Sequence, residues 1–364
     1  MKAVATSPEI NEQPTWEINK GTLIIKGKGY MPNNDFTDFK DFFHTVVIET
    51  GITNIGYQAF LDCKKLTSIT IPNSVTSIEE SAFSGCRTLT SITIPNSVDY
   101  IGERAFVDSG LSSINIPNSV IWIRNSAFQG CDNLKSINIP HSITKIESGT
   151  FSCCTKLTSI TIPNSITDID ILVFDGCESL TSINVENGNN NYTSENGVLF
   201  NKSKDTLICY PTGKTGTHII PNNVRTIGRE AFMYFVNLTS IIIPDSVTYI
   251  GDRAFAHCEN LTTITIPNSV KEIGELVFKH CKKLTSINIP NGVTKIGYGA
   301  FYDCTNLTSI TNLNPMPIDI DACFFWNLNQ RRCKLKVPIE SVSAYKNAKI
   351  WKNFRIVGIE EDNE

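Results

Sequence analysis

LTSITIPNSV, Leu66–Val75, is written again letter for letter at Leu89–Val98, and that repetition decides the fold. At fixed offset, further units begin at Leu111, Leu134, Leu157, Leu238, Leu261 and Leu284, with less regular starts at Phe43 and Thr215. The period is 23 residues, shortened to 22 once, between Leu89 and Gly110. Counted from Leu66, apolar residues hold positions 1, 4, 6, 10, 13, 17, 18 and 21: Leu66, Ile69, Ile71, Val75, Ile78, Ala82, Phe83 and Cys86. Position 18 is Phe in every regular unit: Phe60, Phe83, Phe106, Phe128, Phe151, Phe174, Phe232, Phe255, Phe278 and Phe301. So small a unit cannot bury these side chains alone and must stack on copies of itself, which makes a solenoid.

Within the unit, L-x-x-I-x-I alternates as a strand does, so Ile69 and Ile71 point inward while Ser68 and Thr70 point out. Pro72 ends the strand because it has no N–H for a neighbour, and Asn73 and Ser74 form a corner that binds its own backbone. Val75 and Ile78 return to the core, and SAFSGC brings back Ala82, Phe83 and Cys86 through a short helical turn. Each coil therefore carries one strand, two corners and a packed interior.

The formal net charge of −4 and pI near 5.8 provide no basic field for nucleic acid. No run approaches the length of a membrane span. MKAVATSPEI lacks the apolar core of a signal peptide. Eight of the twelve cysteines (Cys63, Cys86, Cys131, Cys154, Cys177, Cys258, Cys281, Cys304) fall at position 21. Parallel side chains in a ladder aim the same way rather than at each other, so these are read as buried free thiols. Cys323 and Cys333 lie outside the ladder, and pairing between them is left open.

Three regions follow. Residues 1–42 are an N-terminal tail and β-hairpin cap, with TWEINKGTLIIKGKGYM turning at Lys20-Gly21. Residues 43–312 are the solenoid, with an enlarged coil at 180–214. Residues 313–364 are a C-terminal cap, made of a strand at CKLKVP and an amphipathic helix with Val342, Tyr345, Ile350 and Phe354 inward, followed by an acidic tail.

LTSITIPNSVTSIEESAFSGC resembles the leucine-rich repeat of BspA-like bacterial proteins, as do GVLF with LICYP in the enlarged coil and the KVP…AYK…W…F tail. The resemblance implies an α/β solenoid of the leucine-rich repeat kind. We expect it to be right-handed, with a parallel β-sheet on one face and about twelve coils between two caps. It further implies cell-surface adhesion, with host matrix proteins such as fibronectin and fibrinogen, or another cell's surface protein, as partners. It brings no catalytic residues.

A search for chemistry beyond the repeat finds none. TGKTG (Thr212–Gly216) lacks the first glycine of a phosphate loop, which would fall at Ile208. His257-Cys258 and His280-Cys281 read as exposed His beside buried Cys rather than as a zinc site. Asp168, Asp170 and Asp175 read as solvated corners. No metal, cofactor or catalytic group is expected.

The surface remains. Ser68, Ser91, Ser113, Ser136 and Ser159 form one outward file on the strand face. Thr70, Thr93, Asn115, Asn138 and Thr161 form a second, which Ile242 interrupts farther along. At position 12, Tyr100 and Trp122 fall on adjacent coils with Arg104 and Arg124 near them, the residue types of binding hot spots. The enlarged coil adds Tyr192. The expected function is non-catalytic protein binding by a monomer at the cell surface or in secreted form; the alternative is a cytoplasmic scaffold.

Overall fold

A computed structural model describes residues 13–31, 36–216 and 218–359. The first twelve residues and the acidic tail from Glu360 lie outside the described residues. Two compact units divide the chain, Met1–Tyr192 and Thr193–Glu364, and both are parallel β-solenoids, with about 14 turns between them.

In the first unit, the antiparallel hairpin Thr15–Asn19/Thr22–Lys26 turns through Lys20 and Gly21, both at positive φ (46° and 78°). Its second strand pairs in parallel with Thr45–Ile48, which pairs with Ser68–Thr70. Farther along, Ser113–Ile114 pairs with Ser136–Ile137, and Ser159–Ile162 with Ser182–Val185. A second file of strands, two residues each, runs at positions 12 and 13: Asn54–Ile55, Ser77–Ile78, Tyr100–Ile101 and Trp122–Ile123, then Lys145–Ile146 with Asp168–Ile169. Most coils thus have two strands where the pattern predicts one. A two-residue strand is too short to display alternation.

Polar residues of the consensus bind the coils along these strands. At position 2 the Thr67 hydroxyl donates to the His44 carbonyl (3.0 Å), and at position 11 Thr76 donates to Thr53 (3.1 Å). At position 9, Ser97 donates to Val75 (2.6 Å) and Ser269 to Val247 (2.7 Å). These bonds explain why T, S and T recur at fixed places in LTSITIPNSVT.

The SAFSGC segments are successive tight turns with backbone bonds from coil to coil. Gln58, Phe60 and Asp62 donate their N–H groups to the carbonyls of Glu80, Ala82 and Ser84, at 2.9, 2.9 and 2.7 Å. Positions 16 and 20 are left-handed, as at Ser81 (φ 55°) and Gly85 (φ 73°). At Gly130 (φ 69°) glycine avoids the strain of the left-handed slot, and a Cβ would also stand 2.1 Å from Asp108 Oδ1.

Behind these turns the phenylalanines stack. Ring centroids are 5.3–6.1 Å apart from Phe60 through Phe174, and 5.0–5.8 Å from Phe232 through Phe301. Tyr210 takes the slot before Phe232, 4.9 Å from it. All twelve cysteines are free. The ladder thiols have a partner: Cys86 Sγ donates to the Phe60 carbonyl (3.1 Å), Cys258 to Phe232 (3.1 Å) and Cys281 to Phe255 (3.2 Å). Burial pushes Cys131 and Cys258 up to about 12, so they remain protonated donors.

In the second unit the strand face is continuous: Ser240–Ile242, Thr263–Thr265, Ser286–Ile289, Ser309–Asn312, Lys334–Pro338 and Arg355–Ile359. The last strand pairs in parallel with Lys334–Pro338. The C-terminal pattern predicts a strand and a helix there. The helix is short, Val342–Asn347, and Tyr345, Trp351 and Phe354 are buried beneath it. The enlarged coil is a set of strands, Tyr192–Glu195, Val198–Asn201 and Thr206–Cys209. The last two pair antiparallel, and Thr206–Cys209 joins Thr226–Ile227 in the second file.

Candidate binding faces

The strand-face residues Ser68, Thr70, Ser91, Thr93, Ser113, Asn115, Ser136, Asn138, Ser159 and Thr161 are all exposed. Asn138 is nevertheless occupied. Its Nδ2 donates to the Ile116 carbonyl and its Oδ1 accepts the Ile116 N–H, both at 2.8 Å, so the carboxamide splices a ladder that the backbone leaves open. A shallow recess beside it is bordered by Ser136, Ser159, Thr161, His141 and Glu186. His141 Nε2 meets Glu186 Oε2 at 2.9 Å, and the same oxygen accepts the Asn164 N–H at 3.1 Å.

On the second file of this unit, Tyr100 and Trp122 are register partners. Trp122 is 52% exposed, with Ile121 at 49% beside it. The Arg124 guanidinium lies 5.8 Å from the Trp122 ring centre and bonds Glu147 Oε1 at 2.7 Å. This pairing holds the guanidinium against the indole, a cation–π contact. Burial raises the Tyr100 hydroxyl pKa. Arg104 turns instead to its neighbour Glu103, Nε to Oε1 3.8 Å. Tyr192 is half-buried, and its hydroxyl accepts the Ile169 N–H at 3.1 Å, so it extends the ladder past Asp168–Ile169.

A pair of exposed isoleucines lies in the second unit and was only half visible in the sequence. Ile219 and Ile242 form an isolated parallel bridge on the strand face and are 71% and 75% exposed. They border an open hollow with His218, Pro244, Asp245 and Ser246. Ile242 shows in the sequence as an interruption of a polar file. Ile219 falls at the same position 5 of the unit that starts at Thr215, a start less regular than the others.

Among the described residues, no group of three or more His, Cys, Asp or Glu is placed to hold a metal ion, and no helix is long and apolar enough to cross a membrane.

Comparison with known proteins agrees with this architecture. The pneumococcal vaccine antigen PcpA superposes with a TM-score of 0.71 at 22% identity, covering 99% of this chain and 100% of that one. A leucine-rich cell-surface protein of Faecalibacterium prausnitzii gives 0.67 at 26% identity, covering 99% and 96%. A leucine-rich repeat protein of Bacteroides ovatus gives 0.58 at 23%, covering 97% and 100%. No curated protein matches the sequence. The family model for the BspA type leucine-rich repeat region matches residues 30–110, 100–208 and 208–332. The repeat, the stacked Phe interior and this match together place the chain in the BspA-type leucine-rich repeat family.

Proposed function

We propose that this protein is a non-catalytic, monomeric protein-binding module of the cell-surface adhesion type, whose partner is a host matrix protein or another cell's surface protein. The observation that carries the reading is the Ile219/Ile242 pair. Two isoleucines, 71% and 75% exposed and side by side on the strand face, leave apolar area in water that a partner would cover. The Tyr100/Trp122/Arg124 patch on the other unit is a second contact area, and the Ser/Thr/Asn files supply hydrogen bonds around both. A rigid stacked surface loses little conformational entropy on binding, so modest contacts add up. The surface reading is supported by the description of one similar structure as a cell-surface protein. The test is surface plasmon resonance of the purified chain over immobilised fibronectin and fibrinogen, with I219S/I242S and Y100A/W122A beside it. We expect saturable binding that the isoleucine pair weakens by about tenfold or more, with the thermal midpoint held. Binding unaltered in both variants removes these faces from the reading.

One observation favours the alternative, an intracellular scaffold. Cys153 is an exposed free thiol, a group that persists best in a reducing compartment. Localisation by cell fractionation and surface proteolysis of the source cells separates the two.

A further inference from the structure

Position 20 of the coil is left-handed, and in the first unit it holds Gly85, Gly130 and Gly176 on some coils and Asp62, Asp108 and Cys153 on others. In the second unit the same position carries Tyr234 (φ 55°), His257 (φ 60°), His280 (φ 59°) and Asp303 (φ 59°). The slot admits side chains in both units, and in the second it carries three rings and a carboxylate on successive coils.

Those side chains form a column. The Tyr234 and His257 rings stack at 4.3 Å, and His257 and His280 lie 4.6 Å apart at an interplanar angle of 41°. His280 Nδ1 meets Asp303 Oδ2 at 2.6 Å. Burial alone would raise the Asp303 carboxyl, but bonds from Asn327 and His280 outweigh it and hold it below its ordinary value. A carboxylate only accepts, so the proton of this bond sits on Nδ1, which leaves Nε2 as the nitrogen free to meet a metal. This is the outer-shell arrangement that orients a metal-ligating histidine. The neighbouring His257 ring stands in the same column, between Tyr234 and His280. Of the nearby cations, Lys282 is paired with Glu259 at 2.9 Å and Lys279 lies 5.7 Å over the Tyr302 ring.

We propose that His257 and His280 form a surface site for a divalent transition-metal ion of borderline softness, such as Zn²⁺, Ni²⁺ or Cu²⁺, with Asp303 as the positioning residue and water completing the coordination shell. Two protein donors make an exchangeable site, unlike the closed four-ligand sites that hold a structural metal. Copper(II) binds more tightly than zinc or nickel at such imidazole donors.

The test is calorimetric titration of the untagged full chain with Zn²⁺ and Cu²⁺, its accessible thiols alkylated, beside H257N, H280N and D303N. Asparagine suits the left-handed slot, which Asn327 occupies at φ 63°. The expected result is one saturable site in the parent chain. Either His→Asn change weakens it by at least about tenfold, and D303N by about 10- to 100-fold. Metal raises the thermal midpoint of the parent chain and leaves that of H257N/H280N unmoved. Cu²⁺ electron paramagnetic resonance of the parent chain provides a readout independent of variant folding, and coupling to two imidazole nitrogens is expected. No saturable heat below about millimolar metal, a spectrum without those nitrogens, or undiminished affinity in H257N/H280N overturns the site. Undiminished affinity in D303N overturns the role given to Asp303.

Discussion

Residues 66–75 and 89–98 are the same ten letters, yet Ser68–Thr70 is a ladder strand and residues 91–94 form none. The difference widens between the units. The strand face of the first is broken into separate sheets, while that of the second runs through six strands. Strand propensity cannot explain this, because identical sequences behave differently. The coil Leu89–Gly110 is one residue short, yet position 12 still faces position 12 on both sides of it, Ser77 against Tyr100 and Tyr100 against Trp122, so the missing residue is absorbed after the turn segment. On the opposite side the turn segments stay bonded through the same region, with Ser81 and Phe83 donating to Glu103 and Ala105 at 2.9 and 2.7 Å. The Phe, Cys and turn columns therefore hold the coils together where the strand face does not.

If the stacked interior is what binds the coils, removing a ring should cost the most. Phe255→Ala and Phe106→Ala each delete a side chain that is 0% exposed. Each should lower stability by about 3–5 kcal/mol through lost burial and a cavity. Denaturant unfolding followed by fluorescence measures it. A loss below about 1 kcal/mol in Phe106→Ala alone would show that the first unit draws its stability elsewhere and break the comparison.

The units should also part in acid. His257 titrates near 6.5 when unfolded and near 4 when folded. Between those values the unfolded state binds more protons, so stability falls as pH drops from about 6.5 and the loss is complete below about 4. Burial sets this first, and the charges of His280, Lys279 and Lys282 add to it while Glu259 opposes it. H257N should remove that part of the pH dependence of the thermal midpoint. An unchanged profile would assign the acid sensitivity to other groups.

Much of this architecture was legible in sequence. The Phe and Cys columns and the inward Ile residues follow from periodicity, because burial in a stack repeats with the coil. The second file of strands did not show, since Ser77–Ile78 is too short to alternate. The binding faces were the least legible. Asn138 reads as a free outward amide, yet its bonds to Ile116 depend on a gap between coils that no local pattern reports. Tyr192 reads as an exposed aromatic in an insertion, yet its hydroxyl closes a ladder on Ile169. The His257/His280 column was visible only as two histidines one period apart, because stacking and the bond to Asp303 depend on ring orientation.

The smallest expected effect is the sharpest test of what breaks the strand face. Amide hydrogen exchange should be faster at Ile92 and Thr93, outside any ladder strand, than at Ile287 and Asn288, which lie in the paired strand Ser286–Ile289. The amides flanked by ladder bonds open only when neighbouring coils separate, whereas those at 92 and 93 open by local fluctuation. Inserting one residue after Ser109, which restores the 23-residue count, should slow exchange at Ile92 and Thr93 toward the values of the second unit. It should add no more than about 1 kcal/mol to global stability, the scale of a hydrogen bond regained from water. The gain is small because the turn columns already hold these coils. Unaltered exchange after the insertion would mean that coil length does not set the break, and that the side chains filling the shortened coil, Ser109 in the cysteine slot among them, hold the strands apart.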